Sequence, residues 1–127
     1  MSDAAEPSRD ITIRLLIFSG RPDPEWSPDE RKARELHEKL VEAIGREPIH
    51  PPPPGGLGYR GFLVGLTNRG RRGREVVVFR NVLTEQEHER QAHWRDVTGV
   101  ERWLLQEARN EGHGEILDAA GANGTDR

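Results

Sequence analysis

The sequence predicts an α+β domain. The expected fold is a small two-layer sandwich, with a short, mostly antiparallel sheet of three to four strands and two helices on one face. Three observations lead there. Residues 11–18 alternate apolar side chains with the period of a strand. Residues 58–67 and 74–81 are two further strand-like runs on either side of the turn segment NRGRRG, the pattern of a hairpin. Residues 28–45 and 98–111 carry apolar stripes at helical spacing.

The first strand has the highest apolar density in the chain. Ile11, Ile13, Leu15 and Ile17 share one face, while Thr12, Arg14, Leu16 and Phe18 occupy the other, polar at its start and apolar at its end. This places it centrally or nearly so. It runs into the loop segment GRPDPEW. Gly20 permits a sharp turn. Pro22 and Pro24 hold Arg21 and Asp23 extended. Trp26 then precedes Ser27-Pro28-Asp29-Glu30, which reads as a capping box with proline at the first helical position and Arg31 as the partner of the indole.

The first helix is expected to bury Ala33, Leu36, Leu40 and Ile44, with Val41 beside them and His37 on the edge of the stripe. Glu30–Arg34 and Glu35–Lys39 are favourably ordered i,i+4 pairs, and Gly45 is placed to stop the helix. A proline-rich connector, 47–57, reads as a stiff bridge to the second strand. There Phe62, Val64 and Leu66 share a face with Arg60. Gly61, Leu63 and Gly65 take the other face, where two glycines predict a shallow depression. The following turn gathers Arg69, Arg71, Arg72 and Arg74 with no acid among them. That patch is either a solvated edge or an anion-binding hairpin.

Residues 82–97 show no apolar stripe over their middle third and read as an excursion from the body, rejoined at His93-Trp94-Arg95-Asp96. Thr98 and Glu101 form a second capping box, followed by a helix burying Val100, Trp103, Leu104, Leu105 and Ala108. A last helical turn is expected near 115–120. The chain thus reads as one domain, 10–120, between disordered tails 1–9 and 121–127.

Composition narrows the functional classes. The chain has 127 residues, a third of them hydrophobic and a third charged, so its core is small. It has no cysteine, which removes disulfides and thiolate metal sites and suits a reducing compartment. Without an apolar run of about 20 residues or a leader-like start, the expectation is a cytoplasmic protein with no membrane association. The net charge of −3 argues against nucleic acid as a general partner. Arginine outnumbers lysine 17 to 2, so any single arginine is weak testimony to anion recognition.

No nucleotide-binding glycine loop, zinc-protease helix or serine-nucleophile elbow is present. His37, His50, His88, His93 and His113 are dispersed. His88, Glu89 and His93 are the nearest to a metal pattern and fall short of the three or four ligands a site needs. No cofactor is expected. The favoured reading is a non-catalytic binding or accessory protein, with Arg21, Asp23 and Trp26, joined by Arg60 and Trp94, facing a protein partner or a small anionic ligand. A homodimer is compatible with it. The other readings are a small enzyme in the same cleft, with Arg21 as anion clamp and Asp23 or a histidine moving a proton, and anion or nucleic-acid contact through the arginine hairpin.

Overall fold

The computed structural model describes residues 9–18, 22–50, 58–68, 71–87 and 89–120. In chain order the elements are β1 (Arg9–Phe18), β2 (Glu25–Trp26), α1 (Glu30–Ala43), β3 (Gly58–Asn68), β4 (Arg71–Phe79), β5 (Val82–Glu87), β6 (Arg90–Arg95), α2 (Val100–Asn110) and α3 (Gly114–Ala119). The strands form one six-stranded antiparallel sheet in the order β2-β1-β3-β4-β5-β6. No helix among the described residues is long and apolar enough to cross a membrane.

The α+β class holds, but the expected sheet of three to four strands with two helices is corrected to six strands and three helices. The additional strands come from two places. The proline loop folds back so that Glu25 and Trp26 pair with Arg14 and Ile13 as a minimal edge strand. The supposed excursion 82–97 is a hairpin, β5–β6, held by Thr84 opposite His93 and Gln86 opposite Gln91. Its strands are polar because only one face meets the core, and at the sheet margin that face is narrow: Leu83 is fully buried and Trp94 partly so. Polar cross-strand pairs supply the remaining contacts, including Gln91 Nε2 to Gln86 Oε1 at 2.8 Å and Thr84 Oγ1 with His93 Nδ1 at 3.0 Å. The outer edge of β6 is covered in turn by the connector. Ile49 N donates to the His93 carbonyl at 3.1 Å and Arg95 N to that of Glu47 at 2.8 Å.

One core lies between the sheet and the helices. Ile11, Ile13, Leu15 and Ile17 of β1, Phe62 and Val64 of β3, Val76 and Val78 of β4 and Leu83 of β5 face Leu36, Leu40, Leu104, Ala108 and Leu117 of the helices. β1 is next to the short edge strand, so β3 and β4 are the central pair. Helix α1 buries Ala33, Leu36, Leu40 and Ala43, whereas Val41 is 61% exposed and Ile44 has left the helix as its extended C-cap.

Both expected capping boxes are replaced by other caps. Asp29, not Ser27, caps α1 by accepting from Lys32 N at 2.9 Å. The left-handed Gly99 begins α2, and its free amides are served from upstream: Asp96 Oδ1 accepts from Val100 N at 2.6 Å and Oδ2 from Glu101 N at 2.8 Å. Thr98 ties the helices instead. Its hydroxyl donates to the Lys39 carbonyl at 2.8 Å, and Lys39 Nζ donates back to the Thr98 carbonyl at 3.3 Å.

Candidate functional site

Arg21 lies outside the described residues. Its loop neighbours have defined local roles. The Pro24 carbonyl accepts from Leu15 N at 2.9 Å, and Asp23 Oδ1 accepts from Ile17 N at 3.1 Å. The Asp23 carboxylate thus extends the β1–β2 ladder as a substitute carbonyl. It does so where β1 slips its register against β3 between Leu15 and Ile17. Trp26 sits opposite Ile13, about 13 Å back along the strand from the position Asp23 serves. Its ring packs toward the core and lies 5.4 Å from the ring of His113, so His113 and not Arg31 is its neighbour. Asp23 and Trp26 are therefore held apart along β1, because pairing of β2 draws Trp26 inward.

Trp94 belongs to the opposite margin of the sheet, five strand spacings or about 24 Å from β2. It partly covers the core there beside Pro48. The indole Nε1 atoms of Trp26 and Trp94 are both buried and, among the described residues, meet no acceptor. Arg60 is turned to the side opposite Phe62 by a bulge that sets Arg60 and Gly61 together against Leu16. The predicted depression at Gly61 is absent. Gly61 has φ +96°, and a Cβ there would overlap the Val78 carbonyl oxygen and stand 2.8 Å from Phe79 Cβ. At Gly65 the nearest atom to such a Cβ is Thr12 O at 4.0 Å, so that glycine leaves space.

These placements define the second surface of the sheet. The helices share a single core with one face, and on the other face no helix packs among the described residues. Register fixes its rows. Arg14, Leu63, Val77, Thr84 and His93 run side by side across five strands, flanked by Thr12, Gly65, Glu75, Gln86 and Gln91. Leu16, Leu63 and Val77 are partly exposed there and lie outside the core cluster. Ion pairs stand at both margins: Arg14–Glu25 at 3.5 Å beside β2 and Arg95–Glu47 at 2.8 Å beside β6.

The arginine hairpin is described only in part. Arg69 lies outside the described residues, as do the side chains of Arg71 and Arg72. Arg74 pairs with Glu85 at 3.2 Å. His88 is also outside them, Glu89 is exposed at the β5–β6 turn, and His93 Nδ1 shares a hydrogen bond with Thr84. Among the described residues no group of three or more His, Asp or Glu is arranged to hold a metal ion.

The constellation missed in the sequence is built on Glu101. The β4–β5 turn consists of Arg80 and Asn81, with φ of 52° and 66°, the positive values of a type I′ turn. Its amides face the first turn of α2. Glu101 Oε1 accepts from Asn81 N at 2.9 Å, and Oε2 accepts from Arg80 N at 3.3 Å and from the Tyr59 hydroxyl at 2.6 Å. Glu101 has the spacing of a cap residue, yet it is buried and holds a hairpin, a strand and a helix together. The signal in the sequence was Arg80-Asn81 between two β-branched runs, a two-residue hairpin connection with asparagine tolerating positive φ.

Burial, and then the Glu101 carboxylate beside it, push the Tyr59 hydroxyl well above its ordinary value of 10.0. The folded state therefore keeps a proton that the unfolded chain releases. The contribution of Tyr59 to stability is fully present below about pH 10 and is lost above it, by up to about 1.4 kcal/mol per pH unit. Tyr59 is the only tyrosine in the chain, so phenolate absorbance follows it alone. We expect wild type to show delayed phenolate formation coupled to unfolding. Tyr59→Phe should flatten this alkaline component of the melting profile. Phenolate appearing near pH 10 in protein that remains folded would contradict the assignment.

Comparison with protein-family models, curated protein sequences and solved structures finds no match for this chain.

Proposed function

We propose that this is a small non-catalytic binding protein whose partner surface is the helix-free face of the sheet, continuing at the strand end into the loop that carries Arg21 and Asp23. The observation that carries the reading is the patch of Leu16, Leu63 and Val77, three apolar side chains left partly exposed outside the core on a face bounded by charged pairs. An apolar centre with a polar rim is the composition of a transient interface. The enzyme alternative draws less support, because Asp23 already has a structural role, with its Oδ1 accepting from Ile17 N. Arg21, which lies outside the described residues, is kept in this reading as the charge-assisted contact to an acidic group on the partner.

The test compares variants in affinity capture from extract of the native host. Leu63→Glu should remain folded, because it replaces a partly exposed strand residue, and should lose the retained partner. Arg21→Ala should weaken retention about 5- to 100-fold, the range for losing one charge-assisted contact of about 1–3 kcal/mol. If retention survives both changes, the surface is assigned to the wrong part of the molecule.

A further inference from the structure

We propose that the helix-free face of the sheet packs against the same face of a second copy of this chain, forming an isologous homodimer. The inference rests on the reading of that face as a partner surface and names its occupant. The first argument is charge. A face that meets its own copy must present surfaces that tolerate themselves across a two-fold axis. Here each lateral margin is an acid–base couple, Arg14 with Glu25 beside β2 and Arg95 with Glu47 beside β6. A margin of that kind meets either margin of its mate with opposite charges in reach, whichever way the axis runs. A one-signed rim would repel its copy and instead favour a partner of the other sign.

The second argument is shape and chemistry between the rims. Leu63 and Val77 are directly opposed on the central strands β3 and β4, with Leu16 beside them on β1 and Thr84 next in the row on β5. Two antiparallel sheets pack face to face through such residues at about 10 Å separation. The space at Gly65, where the nearest atom to an added Cβ is 4.0 Å away, can receive a side chain from the mate. The footprint sets the strength. Five strand spacings by about four residues measure roughly 24 Å by 14 Å in plane. That is about 340 Å² in plane, under half of the roughly 800 Å² of accessible area per partner in a standard interface. The dimer is therefore weak, reversible and concentration-dependent.

Sedimentation velocity of the full chain from about 5 to about 500 μM, which brackets a micromolar Kd, tests this. The weight-average mass of wild type should rise from 14.4 kDa toward twice that value. Leu63→Glu and Val77→Lys should remain at 14.4 kDa across the same range with unchanged far-ultraviolet circular dichroism. Thr84→Arg replaces a residue that is already polar, so it supplies a third variant if either apolar substitution perturbs folding. Combining Leu63→Glu and Val77→Lys chains should restore association through the new opposite charges. A wild type that stays monomeric throughout, or a dimer indifferent to all three substitutions, overturns the proposal. A monomeric wild type whose captured partner is still lost on Leu63→Glu removes the second copy alone and leaves the binding surface in place.

Discussion

Replacing Gly61 with alanine is expected to cost about 3–5 kcal/mol, a large part of the roughly 5–15 kcal/mol that holds a domain of this size together. Two terms add. The backbone is at φ +96°, where a residue with a Cβ is strained by about 1–3 kcal/mol. The new methyl also overlaps the Val78 carbonyl oxygen and stands 2.8 Å from Phe79 Cβ, and neither is the movable end of a flexible side chain. Overpacking of that kind adds about 1–3 kcal/mol. The damage reaches beyond one residue, because the Gly61 bulge sets the register of β3 against β1. Urea unfolding of Gly61→Ala and Gly65→Ala makes a controlled pair. At Gly65 the φ is not in the left-handed region and the nearest atom is 4.0 Å away, so alanine there should be neutral or slightly stabilising. If Gly61→Ala unfolds within about 1 kcal/mol of wild type, the bulge is softer than its geometry implies.

Glu101→Ala should have an effect of similar size through different chemistry. The Arg80 and Asn81 amides and the Tyr59 hydroxyl would each lose an acceptor. The Tyr59 hydroxyl is a buried donor, which left unpaired costs about 1–3 kcal/mol, and the two turn amides are part-buried and cost less each. Water entering the site offsets part of the sum, leaving an expected loss of about 3–5 kcal/mol. Because the two amides belong to a turn with φ of 52° and 66°, the loss should also loosen the β4–β5 connection. Amide exchange at Arg80 and Asn81 should accelerate before that of the core strands. Glu101→Gln keeps an acceptor and approximate shape, so it should retain about half of the stability lost in Glu101→Ala. Equal losses for the two variants would mean that the carboxylate charge near the α2 N-terminus matters more than its acceptor geometry.

Much of the layer arrangement follows from periodicity read along the chain. β1, the β3–β4 hairpin, α1 and α2 each carry a strong single-period apolar signal, because each contributes four or more residues to the shared core or to its facing rows. The absence of cysteine and of a membrane-length apolar run is equally a matter of composition. β2 and the β5–β6 hairpin leave little such trace. β2 is two residues held by backbone pairing. β5 and β6 lie at the margin, where one narrow face touches the core and the other carries Thr84, Gln86, Gln91 and His93. Their stability comes from ladder bonds and cross-strand polar pairs, which leave no apolar alternation to read.

Local patterns also misdirect where a remote acceptor or donor competes with the nearest one. Ser27 and Thr98 occupy good cap positions by spacing. Asp29 and Asp96 serve the helix amides instead, and Glu101 is drawn away to the β4–β5 turn. Asp23 sits in a proline loop, yet β1 has an amide at Ile17 that its carboxylate reaches. Residue types and spacing determined which helices and central strands form. Tertiary pairing alone decided which polar side chains are committed to holding the fold and which face of the sheet is left without a helix, because those outcomes depend on amides and surfaces far apart in the chain.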